Sequence, residues 1–122
     1  MEARNPILAV ATNKGLERTA EDLESAAARH GLRVTAIHDL VPGDRNCRVY
    51  EVCHEACAKE ALSRRPDAAI LVPCRILLRS GADGTRLSAL LPGAVLGSFP
   101  DLREMAGRLE GALRLALSEA VR

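Results

Sequence analysis

The chain is nearly devoid of aromatic side chains: tryptophan is absent, and Tyr50 and Phe99 are the only two aromatics among 122 residues. Proteins that hold single-stranded nucleic acid stack its bases on aromatic side chains, so this shortage argues against that function. An excess of one charge is also lacking, because 17 basic residues oppose 16 acidic ones and the net charge is +1. A surface that follows phosphates needs a strongly basic character. We therefore expect no nucleic acid partner.

Long apolar runs are missing as well. No stretch of the sequence approaches the ~20 apolar residues that a membrane-spanning helix requires, so we expect no membrane association. Residues 1–6 lack the longer apolar run of a signal peptide. A cytoplasmic location is the resulting expectation, and cysteines there are mostly reduced. The glycines of residues 81–84 are not followed by the lysine and helix start of a phosphate-binding loop.

The sequence does contain enough apolar residues for a core, since 48% of it is hydrophobic. Its length suits one domain that spans residues 1–122. Because aromatics are scarce, the core must be built from leucine, valine, isoleucine and alanine. Such side chains favour close packing of helices on a sheet.

The hydrophobic pattern predicts the element order β-α-β-β-α-β-β-α. Glycines delimit the first helix, which the pattern places over residues 15–29, and residues 81–84 form a tight hairpin turn. The last helix covers about residues 101–121, with Ser98 and Asp101 at the spacing of a capping box. We expect an α+β fold: one mixed, mostly antiparallel sheet with the helices packed on one face.

Two apolar segments, residues 7–11 and 68–72, do not alternate between apolar and polar residues. Such segments are typical of strands that are buried on both faces at the centre of a sheet. Helices on one face cannot cover the other face. We therefore predict that a second copy of the chain covers it in a symmetric homodimer. The alternative is that the helices divide between the two faces.

Three of the four cysteines concentrate the chemistry of this sequence. Cys53 ends a predicted strand, and Cys57 lies in the first turn of the next helix, where backbone N–H groups can stabilise a thiolate. Cys74 belongs to another predicted strand and could meet Cys53 if the two strands pair. Together with His54, these three thiols form a plausible ligand set for a soft metal, either Zn²⁺ or Cu(I).

Three interpretations of this cluster remain open. The cysteines could bind a soft metal or a small ligand in a non-enzymatic homodimer. Alternatively, Cys53 or Cys57 could be the nucleophile of a thiol redox or sulfur-transfer protein. The third interpretation is a structural or interaction module whose cysteines are buried as small hydrophobic residues. The residues alone do not decide whether the protein is an enzyme.

Several segments resemble the domain-of-unknown-function 302 family of small prokaryotic proteins. The strongest are residues 50–58 and 71–76, followed by residues 83–85, and the resemblance covers about residues 7–92. It implies an α+β fold that tends to dimerise, and it implies little about function. The family pattern usually has Cys-Asn-Pro where this chain has Cys53, His54 and Glu55, and it often lacks a cysteine at the position of Cys57. Cys53 and Cys74 are thus the cysteines that match the family motifs.

Overall fold

The structure, a computed structural model, describes residues 5–122. The prediction that residues 1–6 are not part of a signal peptide falls partly on residues 1–4, which lie outside the described residues. Within the described part of the chain, no helix combines the length and the apolar character needed to cross a bilayer.

Five strands of the described range form one sheet. The strands are β1 (Ile7–Thr12), β2 (Leu32–Asp39), β3 (Cys47–His54), β4 (Cys74–Gly81) and β5 (Gly84–Leu90). Their order in the sheet is β1-β5-β4-β3-β2, and all four pairings of neighbours are antiparallel. The predicted α+β fold with a mostly antiparallel sheet is confirmed.

The helices pack against one face of this sheet. They are α1 (Leu16–Arg29), α2 (Glu55–Arg64), α3 (Pro92–Leu96) and α4 (Arg103–Ala120), with 3-10 segments at Pro66–Leu71 and Pro100–Leu102. Leu23 of α1 and Leu109 of α4 are fully buried in one core cluster with Ile76 and Leu87 of the sheet. This arrangement confirms the predicted placement of the helices.

Helix α1 follows its sequence pattern closely. It begins after Gly15, and its apolar positions at spacings of four and three residues place Ala20, Leu23 and Ala27 in the core. The chain then leaves the helix through Gly31, whose φ of 75° lies in the left-handed region. Glycine adopts this conformation without the steric cost that a Cβ atom brings.

The hairpin between β4 and β5 also matches its prediction. Gly81 pairs with Gly84, so two residues form the turn. Gly84 has a φ of 129°, and a Cβ atom there would lie 2.1 Å from the Thr12 carbonyl oxygen. Glycine therefore allows the end of β1 to lie directly against the hairpin.

The predicted strand over residues 68–72 is wrong. Pro66–Leu71 forms a 3-10 helix with its proline at the first position, and Ile70 in it is 82% exposed. Proline has a fixed φ that suits a helix start, and it removes a backbone donor that a strand ladder would use. A short apolar run by itself fits a helical turn as well as a strand.

The expectation that residues 7–11 lie at the centre of the sheet is also wrong. They belong to β1, which is an edge strand. Leu8 and Val10 pack against the core, whereas Ile7, Ala9 and Ala11 are exposed. Small and apolar residues on the outward side hid the period of two that a half-buried strand normally displays.

The start of the last helix differs from its prediction. Ser98 and Asp101 do not form a capping box, because a 3-10 turn precedes α4 and the helix begins at Arg103 without a side-chain cap. Asp101 instead accepts hydrogen bonds at 3.1 Å from the Arg65 guanidinium, which also lies 5.4 Å from the ring centre of Phe99. Asp101 thus links the start of this turn to the end of α2.

Candidate functional site

The face of the sheet that lies opposite the helices is called the open face below. Side chains alternate between the two faces along each strand, so the neighbours of a core-facing residue point to the open face. The pairing register extends this assignment from one strand to the next. The residues of the open face are Ile7, Ala9, Ala11, Arg33, Ala36, His38, Cys47, Val49, Glu51, Cys53, Arg75, Leu77, Arg79, Arg86, Ser88 and Leu90.

A shallow cavity of about 240 Å³ lies on the open face. Its lining residues come from four strands and the loop after β2: Ile7, Leu40, Val49, Arg75, Leu77, Ser88, Ala89 and Leu90. The walls are apolar except for the Arg75 guanidinium and the Ser88 hydroxyl. An apolar concavity with few polar groups is the usual form of a small-molecule site.

Exposed apolar side chains continue beyond this cavity. A neighbouring depression of about 230 Å³ is lined by Ile70 and Leu71 of the 3-10 segment together with Arg75 and Leu90. Ile70 is 82% exposed and Leu90 is 45% exposed. The open face and the 3-10 segment therefore form one continuous apolar region at this end of the sheet.

Four arginines of the open face have no internal partner. Arg33, Arg75, Arg79 and Arg86 are exposed, and none of their side chains makes a hydrogen bond or an ion pair with another residue of the range 5–122. Arg79 and Arg86 are paired across β4 and β5, so two positive side chains lie side by side. Like charges in this position destabilise a sheet.

Carboxylates are distributed differently. Many of those on the helical side are paired: Asp22 with Lys14, Glu60 with Arg108, and Glu119 with His30 and Arg29. Within the described strands, the open face carries one carboxylate, Glu51, which lies 3.9 Å from the His38 ring nitrogen. The net charge of +1 therefore conceals a positively charged open face.

The predicted cysteine cluster is divided between environments. Cys53 is half-buried and lies on the open face, where it pairs across the strands with Arg33. Cys74 is buried on the opposite face, across from Val52. Cys57 is buried on the inner side of α2, with its Sγ 4.0 Å from the Met105 carbonyl oxygen. Strands β3 and β4 do pair, but the side chains of Cys53 and Cys74 leave them on opposite sides.

Burial keeps two of these thiols protonated. It raises the pKa of Cys74 to about 12, and the nearby Cys53 and Cys57 thiols add to this effect. Burial also raises the pKa of Cys57, although the Arg108 guanidinium acts in the opposite direction. This loss of solvation opposes the activation that was expected for Cys57 at its helix start.

His54 caps α2. Its ring Nδ1 accepts a hydrogen bond of 3.3 Å from the backbone N–H of Cys57, so this nitrogen is engaged with the backbone. Within the described range, no three or more side chains of histidine, cysteine, aspartate or glutamate are grouped so that they could hold a metal ion. Ligation by Cys53, Cys57 and Cys74 together would require the Cys53 side chain to leave the open face.

The arginine pair was not among the predicted site residues, although the sequence contains the signal for it. A two-residue turn at Ala82 and Asp83 sets the register of the hairpin. Counting outward from that turn places Arg79 opposite Arg86. The apolar cavity had no comparable signal, because strand order decides which side chains surround it.

These features define a small α+β protein that has helices on one face of an antiparallel sheet and an uncovered, arginine-bearing second face. The sequence model described as "Domain of unknown function DUF302" matches residues 8–120, and the chain belongs to this family. The matched residues include α4, which lies outside the residues 7–92 that carry the resemblance.

A crystal structure of an uncharacterized conserved DUF302 protein from Bacillus stearothermophilus has the same fold. The TM-score is 0.87, with 98% of this chain and 100% of the other chain covered at 20% sequence identity. At this identity the likeness concerns the fold alone. No match was found among curated proteins.

Proposed function

We propose that this protein is a cytoplasmic, homodimeric binding protein that holds a small ligand on the open face of its sheet. The observation that carries the proposal is the apolar cavity of about 240 Å³ on a sheet face that no helix of the described residues covers. All four cysteines are unpaired, which suits a reducing compartment.

The lining of the cavity supports a ligand-binding role. An antiparallel sheet with one solvated face normally has polar side chains on that face. Here Ile7, Leu77 and Leu90 occupy neighbouring positions and surround a depression. Burying such side chains under a ligand gains about 25 cal/mol for each Å² of apolar surface removed from water.

The homodimer rests on the exposed apolar region around this cavity. Nine large hydrophobic residues of the range 5–122 are exposed, and five of them line the two cavities described above. These five are Ile7, Leu40, Ile70, Leu71 and Leu90. A contiguous apolar area of this kind marks an interaction surface. A second copy of the chain related by a twofold axis would cover the same region on both partners.

Ligand binding is tested with the fluorescent apolar probe 8-anilinonaphthalene-1-sulfonate. We expect saturable binding to the wild type and weaker binding to Leu77→Asp, which places a charge on the cavity floor. Leu115→Asp is the matched control, because Leu115 is 51% exposed on the remote helix α4. Equal affinity of all three proteins would contradict the proposed site.

Dimerisation is tested by sedimentation equilibrium at micromolar concentration. The wild type and Leu115→Asp should sediment as dimers, whereas Ile70→Glu should shift the population towards monomers. A wild type that is monomeric at these concentrations would contradict the dimer and leave the ligand site to be judged by the fluorescence titration.

The cysteines support a second candidate function, soft-metal binding or thiol chemistry. Cys53 borders a cavity of about 290 Å³ together with Arg33 and Glu55. Cys53 is the least buried of the three candidate thiols, and both functions need an accessible sulfur atom. In the metal-binding form, the Cys53 side chain would turn away from the open face to join Cys57 and Cys74 around Zn²⁺ or Cu(I). The Cys53 thiol is near enough to both buried thiols to contribute to their raised pKa values.

Metal analysis of anaerobically purified protein tests the metal-binding form of this candidate. The wild type should contain metal that a Cys53→Ser/Cys74→Ser double variant lacks. Timed alkylation across pH tests the thiol form, in which Cys53 reacts fastest. If both proteins are free of metal and Cys53 reacts like an ordinary thiol, the cysteines are packing residues.

A further inference from the structure

From the register of the β4–β5 hairpin, we infer that Arg79 and Arg86 form a binding site for an oxyanion group, such as a phosphate, sulfate or carboxylate, of a small organic molecule. The inference deepens the proposed function and rests on it for the apolar part of the molecule. It adds the charge of the ligand and the place where that charge binds.

The arrangement of the two arginines has an energetic cost. They are direct partners across β4 and β5, and both are exposed. No carboxylate of the described residues forms an ion pair with either of them. An oxyanion placed between two guanidinium groups would replace this repulsion with charge-assisted hydrogen bonds, which arginine forms in a planar, two-pronged geometry.

The surroundings leave room for such a group. Arg79 and Arg86 line a depression of about 320 Å³ at the hairpin end of the open face. Thr12 and Asp83 border the same depression. Asp83 lies in the turn between the two strands. Within the described part of the chain, its carboxylate forms no ion pair with Arg79 or Arg86.

The arginine pair is next to the apolar cavity. Leu77 and Ser88 are paired across the same two strands, two residues further along each strand on the open face. Two residues of a strand span about 7 Å. One small molecule can therefore place its oxyanion at Arg79 and Arg86 and its apolar part against Leu77 and Leu90. The expected ligand class is an amphipathic organic anion.

Isothermal titration calorimetry at constant ionic strength tests this inference with three probes: inorganic phosphate, hexyl phosphate and 1-hexanol. Arg86→Thr is the test variant, because threonine keeps a high strand propensity. We expect both phosphate probes to bind this variant about tenfold more weakly than they bind the wild type, as loss of a charge-assisted bond implies. Binding of 1-hexanol should not change.

Arg33→Thr is the matched control, since Arg33 is an exposed arginine of the same face whose strand partner is Cys53, and its side chain has no ion pair among the described residues. It should bind all three probes as the wild type does. Arg86→Thr should also unfold at the same temperature as the wild type or higher in chloride buffer, because it removes the repulsion. This result excludes misfolding as the cause of weaker binding.

The failure of the inference and the failure of the proposed function have different signatures. Equal phosphate affinity of the wild type and Arg86→Thr, or no phosphate binding to the wild type, overturns the oxyanion site. Loss of 1-hexanol binding in Leu77→Asp would still support the apolar cavity in that case. If 1-hexanol fails to bind the wild type, the proposed ligand site in the apolar cavity is contradicted. The oxyanion site is then tested by the phosphate measurements alone.

Discussion

Cys74 illustrates how its environment governs the chemistry of a cysteine. The sequence places it in a segment that matches the family motif, where a ligand or a reactive thiol was a reasonable interpretation. In the fold it faces the helices, and its Sγ lies 3.6 Å from the Val72 carbonyl oxygen. Burial raises its pKa from 9.0 to about 12, so the side chain behaves as a small apolar group near neutral pH.

The raised pKa of Cys74 predicts that the protein loses stability at alkaline pH. Below pH 9 the Cys74 thiol is neutral in both states, and its contribution to stability is complete. Above pH 9 the unfolded chain releases this proton while the folded chain retains it up to about pH 12, so the free energy of unfolding falls. The predicted loss from this group is about 3 kcal/mol at pH 11.

Urea unfolding of the wild type and of Cys74→Ala at pH 8, 10 and 11 measures this loss. The variant lacks the titrating group, so its free energy of unfolding should fall less steeply with pH. Parallel curves for the two proteins would show that the Cys74 thiol ionises as readily in the folded chain as in the unfolded one.

The capping role of His54 leads to a prediction that can be tested in the absence of metal. Replacing it with alanine removes the acceptor for the Cys57 N–H and should cost about 1 kcal/mol in the free energy of unfolding. His54→Asn keeps an acceptor that favours this position and should retain most of the stability. Chemical denaturation of both variants without added metal provides the measurement, and equal losses would argue against the cap.

Strand alternation allowed part of the candidate site to be predicted. The face that Cys53 shares with Glu51 follows from the sequence, because side chains alternate along β3. Which of the two faces the helices would cover does not follow from this alternation. The separation of Cys53 from Cys74 depends on that choice and on the register of β3 with β4, and both are set by long-range packing.

The β4–β5 hairpin is the best predicted part of the sheet, because its turn residues act locally. The 3-10 helix at Pro66–Leu71 was missed for the opposite reason: its alanines, isoleucine and leucine have no period, and the proline before them acts through the backbone. Local sequence signals were therefore sufficient to predict α1 and the hairpin. The order of the strands, and with it the edge position of β1, depends on contacts between distant segments.

Gly84 provides a prediction about this hairpin. Replacing it with alanine places a Cβ atom 2.1 Å from the Thr12 carbonyl oxygen at a φ of 129°, so the pairing of β1 with β5 must shift. We expect a loss of more than about 2 kcal/mol in the free energy of unfolding. Thermal unfolding measures it.

Gly81→Ala is the matched control in the same turn, because nothing lies within 4 Å of a Cβ atom at Gly81. It should unfold close to the wild-type temperature. If the two alanine variants lose stability equally, the close approach of β1 to the hairpin is not what requires glycine.

At the scale of the whole molecule, charges are separated between the two sides. The helical side pairs many of its carboxylates, and the open face has four arginines whose side chains are unpaired within residues 5–122. A count of charges could not predict this separation, because a net charge of +1 has no direction. The separation affects the proposed homodimer, since two open faces would bring eight arginines towards one another. Attraction in such a dimer comes from apolar contact, and repulsion comes from charge.

Dimerisation should therefore strengthen with salt. Raising sodium chloride from 50 to 500 mM screens the repulsion between the facing arginines, and the dissociation constant of the dimer should fall several-fold. Sedimentation equilibrium across this range measures it. An Arg79→Thr/Arg86→Thr variant should show a weaker dependence on salt. A dimer that dissociates as salt rises would indicate ion pairs across its interface in place of repulsion.

The uneven placement of charge has a practical result for handling the protein. A monomer with its unpaired guanidinium groups on one flank should adsorb to a sulfonated chromatography resin at neutral pH, although its isoelectric point of about 7.7 suggests weak retention. Adsorbed in this way, it would turn its helices towards the buffer. Late elution of a nearly neutral polypeptide would then reveal the uneven electrostatic field of its surface.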